Sequence, residues 1–157
     1  MTELEQYHYD QAKTWLERIA NLKYAVSASR NMVELFTGLA DGARGLDPTS
    51  EKVSGGQAVD RLADTIVKLD EARTHWEANL AAYTDEATDA ARRISQLEDA
   101  AERAALLLHY VDGKTWERVC VQLDYSYDGI MDVRKRAVLH VYDFMPTQWR
   151  DPRHSAI

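Results

Sequence analysis

The chain has 157 residues, 45% of them hydrophobic and 29% charged, with a formal net charge of −7. That length suffices for one or two small domains with real cores, and the net acidity argues against a surface that grips nucleic acid all over. The lone cysteine, Cys120, excludes an internal disulfide, no Cys/His cluster suggests zinc, and a reducing cytoplasm is the expected setting. The N-terminus MTELEQYHYD is too polar for a signal peptide, and no stretch approaches the roughly 18 apolar residues of a membrane span.

The composition is rich in Ala, Leu, Glu, Asp and Arg, with only three prolines and seven glycines, and predicts an all-α fold. Charge is unevenly spread. Residues 1–98 hold 11 Lys+Arg against 17 Asp+Glu, whereas residues 99–157 hold 8 against 9, with Arg134, Lys135 and Arg136 consecutive.

Thr2 followed by Glu5 forms a capping-box pattern at the start of a helix. From there Ala12, Trp15, Ile19, Leu22, Val26, Ser29, Val33 and Phe36 recur at spacings of three and four, a heptad seam on one long helix. Gly38, Gly42, Gly45 and Pro48 are expected to end it, leaving a loop over 38–56 long enough for partial mobility. The pattern restarts with Val59, Leu62, Ile66, Leu69, Arg73, Trp76, Leu80, Tyr83, Ala87, Ala90, Ile94, Leu97, Ala101, Ala104 and Leu108, and no Gly or Pro interrupts from Gln57 to Asp112. This reads as one very long helix, or two with a break near Thr84 and Asp85. Pairing Phe36 with Val59 sets Ile19 by Trp76 and Ala12 by Tyr83, and brings Leu22 to Arg73, whose aliphatic stem can lie along the seam. Residues 1–90 are therefore expected to form a long antiparallel helical hairpin. Such a hairpin has a thin core, and two of them can pair into a four-helix bundle, so a homodimer through the hairpin is expected.

Residues 91–145 are read as a separate helical domain, and 146–157 as a tail in which Trp149 follows Pro146. Ala104, Leu107, Leu108 and Val111 give one helix an apolar face, and Gly113 supplies a turn. Thr115 caps a second helix with Trp116, Val119, Cys120 and Leu123 inward. After the turn Asp124-Tyr125-Ser126, Ser126 caps a third, with Ile130, Val133, Ala137, Val138 and Val141 inward. Thr115–Val138 thus reads helix, tight turn, helix.

Tyr110, Gly113, Thr115-Trp116-Glu117, Val119, Leu123, Ser126, Ile130, Arg136 and Ala137 carry a resemblance to the sigma-70 region 4 family of helix-turn-helix domains. The chain as a whole resembles a family of small phage and prophage proteins from Gram-positive bacteria, related in pattern to the ArpU/RinA-like phage late transcription regulators. The resemblance implies a DNA-binding transcription regulator acting in the bacterial cytoplasm, with RNA polymerase as a possible partner. It also implies that the 127–142 helix reads the major groove. By position, Tyr127, Asp128, Met131 and Arg134 or Lys135 point toward bases or phosphates, while Lys114, Thr115 and the cap Ser126 sit by the backbone, where a helix N-terminus favours phosphate. The family commonly has basic residues where this chain has Met131 and Val133. With Asp128 and Asp132 on the same helix, phosphate binding is expected to be weak and its salt dependence small. Gly129 inside that helix costs about 1 kcal/mol against Ala.

Two other readings remain open: an adaptor module that uses the helix-turn-helix for protein docking, and a small terminase-like DNA-packaging subunit, expected to form a ring. Glu5-x-x-His8 has the spacing of half a di-iron site, but His75 lacks the matching Glu, so no metal or cofactor is expected. His109 and His140 are expected to be partly buried core residues, and Cys120 a core residue. No Gly-rich phosphate loop, nucleophile elbow or strand pattern is present, and no enzymatic activity is expected.

Overall fold

The computed structural model describes residues 1–44 and 55–151. Among these it is all-helical: α1 (Glu3–Arg44), α2 (Gly55–Ile94), α3 (Ala100–Leu106) continued by a π-helical turn (Leu107–Val111), α4 (Trp116–Leu123) and α5 (Tyr127–Val141). Two 3₁₀ turns follow, Tyr142–Phe144 and Thr147–Trp149. No helix among the described residues is long and apolar enough to cross a membrane.

The capping box at the start of α1 is present. The Thr2 hydroxyl accepts from the Glu5 N–H at 3.1 Å, and the Glu5 carboxylate accepts from the Thr2 N–H at 2.8 Å. That hydrogen bond from the Thr2 backbone holds the Glu5 carboxyl below its ordinary range. Gly38 and Gly42 do not end α1, which runs on to Arg44. Each glycine costs the helix about 1 kcal/mol against Ala, too little to terminate so long an element. Of the rest of the expected 38–56 loop, residues 45–54 lie outside the described residues, and Gly55 and Gly56 belong to the first turn of α2.

α2 passes through Thr84 and Asp85 unbroken and ends at Ile94. The chain bends instead over residues 95–99. Asp99 caps α3 by accepting from the Glu102 N–H at 3.0 Å, and the Arg103 guanidinium donates to the Glu98 carbonyl at 2.8 Å. Asp99-x-x-Glu102 is itself a helix-start pattern legible in the sequence, hidden by the apolar period that runs across it.

The chain packs as two compact units, Met1–Lys23 with Tyr83–Ile157, and Tyr24–Ala82, a grouping that cuts across the expected segment 1–90. In the first unit, Ala12, Trp15, Leu16 and Ile19 of α1 share a core with Ala90, Ile94 and Leu97, with Leu106 and Tyr110, and with Val138, Val141 and Met145. A second cluster joins Ala105, Val119, Cys120, Ile130 and Val133. α3 contributes to both. The fully buried residues of α3 and its π-helical continuation are Ala105, Leu106 and Tyr110, while the expected face of Ala104, Leu107, Leu108 and Val111 is only half-buried. A helix packed on two sides has no single apolar stripe, and the π-helical turn shifts the rotational phase of the residues after it.

In the second unit, Ser29, Ala40 and Leu69 are buried, and the α2 seam differs from the expected one. Val59 and Leu80 are 66% and 39% exposed and Arg73 is exposed, so its stem does not line the seam. Ala58, Thr65, Ala72 and Asn79 are half-buried in their place. The Asn79 amide donates to Ser29 Oγ at 3.3 Å and to the Ala25 carbonyl at 3.5 Å. In the first unit, Arg18 pairs with Glu86 at 2.9 Å. Under the expected register Asn79 would face Leu16. Apolar heptads repeat every seven residues and distinguish poorly between slipped pairings, so single polar partners select the register.

Candidate functional site

The site expected from sequence lies in the first unit, on α4, α5 and the turn between them. Both helices start on side-chain caps. The Thr115 hydroxyl accepts from the Arg118 N–H at 3.3 Å, and the Ser126 hydroxyl accepts from the Gly129 N–H at 3.1 Å. Between them Asp124 adopts the left-handed conformation, φ 57° and ψ 48°, and the Tyr125 N–H closes α4 on the Cys120 carbonyl at 3.0 Å. Asp is one of the few side chains that tolerate this region, since its short carboxylate bonds locally. Gly129 has a local reason for being glycine: a Cβ there would lie 3.0 Å from Ser126 Oγ and 3.3 Å from the Tyr125 ring, crowding the cap.

Val119, Cys120, Ile130, Val133, Ala137, Val138 and Val141 point inward as expected, and Trp116 and Leu123 pack half-buried against the second cluster. Asp128, Met131, Asp132 and Lys135 recur at i, i+3, i+4 and i+7 and share the outer face of α5. Asp128, Asp132 and Lys135 are exposed and have no ion-pair partner among the described residues; Met131 is half-buried against the second cluster. Tyr127, at the start of α5, is 51% exposed. Lys114 pairs with Asp112 at 3.5 Å beside the exposed Thr115 cap.

Arg134 turns away from this outer face. It is half-buried, its Nε donates to the Tyr110 hydroxyl at 3.2 Å, and its guanidinium lies 5.3 Å from the Trp116 ring centre. Burial pushes the Tyr110 hydroxyl up from its ordinary pKa, against the pull of Arg134 beside it. Trp116 in turn stacks on His109 with ring centres 4.0 Å apart. The His109 Nδ1–H donates to the Lys114 carbonyl at 2.7 Å, and burial lowers the pKa of this ring. Arg134, Trp116, His109 and Tyr110 thus form one network bracing α5 against α4 and the π-helical turn.

Sequence reading missed three exposed groups and one buried one. Arg118 and Val121 of α4, the latter 84% exposed, line a shallow cleft of about 400 Å³ with Lys114, Glu117 and Gln122. Tyr125 is 40% exposed in the turn. Val121 lies off the Trp116/Val119/Cys120/Leu123 face by helical spacing, so its outward position was legible. Glu102 is 4% exposed, with Oε2 accepting from His140 Nδ1 at 2.9 Å and Oε1 lying 3.6 Å from Arg136 Nε. His140 itself is exposed and is not a core residue. Arg136 and Lys135 therefore serve different ends, although adjacent in the basic triplet.

The N-terminal pair also separates. His8 stacks on Tyr142 with ring centres 3.9 Å apart, while Glu5 caps α1, and no cluster of His, Cys, Asp or Glu among the described residues has the form of a metal site. Trp149 lies under the Arg18 guanidinium, 4.2 Å from the ring centre, and residues 152–157 of the expected tail are outside the described residues.

No family model, curated protein or solved structure matches the chain.

Proposed function

We propose that the protein is a DNA-binding transcription regulator of phage or prophage type. In this reading residues 115–141 act as a sigma-70 region 4-like helix-turn-helix and α5 enters the major groove, while the paired lengths of α1 and α2 form a helical hairpin that joins two copies. The observation that carries it is the pair of side-chain-capped helices, α4 and α5, whose second member presents Asp128, Asp132 and Lys135 outward without ion-pair partners among the described residues, with Met131 between them. The chemistry of that face favours base reading over phosphate gripping. Carboxylates accept from cytosine N4, and a lysine donates to guanine O6 and N7. The capped N-termini of α4 and α5, with Lys114 and Arg118 near the first, serve the phosphates. So few cations give weak single-site affinity, so a dimer on two half-sites, or a complex with RNA polymerase, supplies the rest.

The test is retention of genomic fragments by the purified protein at low and moderate salt, with Lys135→Ala and Arg118→Ala alongside. One fragment retained with a shallow salt dependence, and lost in Lys135→Ala, is the expected result; no fragment retained even at low salt overturns it. Exposure of Val121, Tyr125 and Tyr127 on the α4–α5 module favours a second reading, in which this surface docks a protein. In that case Val121→Asp abolishes capture of the partner and Lys135→Ala does not.

A further inference from the structure

The outer face of α1 between Tyr24 and Gly42 has no charged residue and, among the described residues of the second unit, no partner. Tyr24, Met32, Leu35 and Leu39 are 61%, 43%, 51% and 53% exposed, and Ala28 and Gly42 are exposed in line with them. These positions lie on one side of the helix at spacings of three and four, away from the Ser29, Val33, Phe36 and Ala40 side that meets α2. A Cβ added at Gly42 would meet nothing within 4 Å among the described residues.

We infer that this face of α1 is an isologous interface with the same face of a second copy, the two α1 helices running antiparallel. The inference deepens the dimer reading above and rests on it. Three observations choose a second copy as the occupant. First, the large and small side chains are self-complementary about a point between Val33 and Glu34. An antiparallel partner brings Tyr24 over the Gly42-Ala43 end, Ala28 against Leu39 and Met32 against Leu35, and the two-fold axis repeats each contact. Second, a face without charges gives a charged partner nothing to pair with, whereas it matches itself. Third, the four large side chains expose roughly 400 Å² per copy, so pairing two copies buries up to about 800 Å² in all, the size of a weak, reversible interface.

Sedimentation equilibrium of the full chain without DNA, from micromolar to submillimolar concentration, tests it. Wild type is expected to dimerise. Leu35→Glu with Leu39→Glu is expected to weaken dimerisation by about 100-fold or more, and Gly42→Leu, which fills the seat of Tyr24, by about 10-fold or more. All of these positions are exposed, so helicity by circular dichroism is expected to be unchanged. Val67→Glu, at an exposed position on α2, is expected to leave the dimer intact. A wild type that stays monomeric overturns both the dimer reading and this interface. A dimer that survives the double substitution, or is lost as readily in Val67→Glu, leaves the dimer reading standing and overturns this face as its site.

Discussion

The two compact units use similar residues to opposite ends. Residues 1–23 and 83–151 sink whole side chains from five helices, including Trp15, Tyr110, Ile130 and Met145 at 1% exposure or less. Residues 24–82, among those described, bury only Ser29, Ala40 and Leu69, while Tyr24, Met32, Leu35, Leu39, Val59, Val67 and Leu80 stay exposed. Both units are built on the same two helices, so helix propensity does not separate them. What separates them is the third layer. α3 and α5 close over α1 and α2 in the first unit, and two helices alone cannot enclose a side chain larger than Leu on all sides. The difference teaches that the first unit is a folding core, whereas the second, among the described residues, is a two-helix layer held in register by a polar pair that leaves most of its large side chains at the surface.

The largest expected effect breaks the comparison if it fails. Trp15→Ala should cost about 3–5 kcal/mol in urea denaturation, because it empties a fully enclosed site, and Leu35→Ala measured at low concentration should cost less than about 0.5 kcal/mol. Equal losses would mean that the two units share one core. Arg134→Ala should lower stability by about 1–3 kcal/mol, because it removes the Tyr110 hydrogen bond and the cation from the Trp116 face. Lys135→Ala, at an exposed position, should change stability by under about 0.5 kcal/mol, and its effect should fall on the DNA retention that the proposed function requires. If instead the two behave alike, Arg134 is not bracing α5.

Acidification should act on the first unit through His109. The His109 pKa is lowered in the folded chain by burial, so the unfolded chain takes up the proton first. The contribution is fully present above the unfolded value of about 6.5 and is lost as pH falls from there toward the lower folded value. Thermal unfolding should therefore shift downward between pH 7.5 and about 5.5, and His109→Gln should flatten that dependence. Smallest of all, Asp124→Gly should stabilise by up to about 1 kcal/mol, since glycine holds the left-handed conformation at no steric cost. Gly129→Ala should not give the usual gain of a helical alanine, because its Cβ meets the Ser126 hydroxyl at 3.0 Å.

Much of this was legible in the sequence. The all-α class, the Thr2, Thr115 and Ser126 caps, the α1 seam and the inward set of α5 follow from spacing and capping chemistry, which act within one or two turns of a helix. The candidate site was legible in part. Its outer α5 positions follow from the 3.6-residue period, but Arg134 occupies a position that faces solvent or core depending on whether Tyr110 and Trp116 arrive beside it. Glu102 gave no signal, because a carboxylate is buried only when a partner such as His140 comes from elsewhere in the chain.

By itself the sequence determined where helices form, how most of them begin, and which of their residues are apolar on one side, since these depend on local backbone and side-chain chemistry. Only the tertiary structure decided which of two neighbouring stripes on α2 meets α1. It also decided which member of the basic triplet points outward. In each case the local pattern allowed more than one arrangement. A partner distant in sequence, Ser29 for Asn79, Tyr110 for Arg134 or His140 for Glu102, selected one of them.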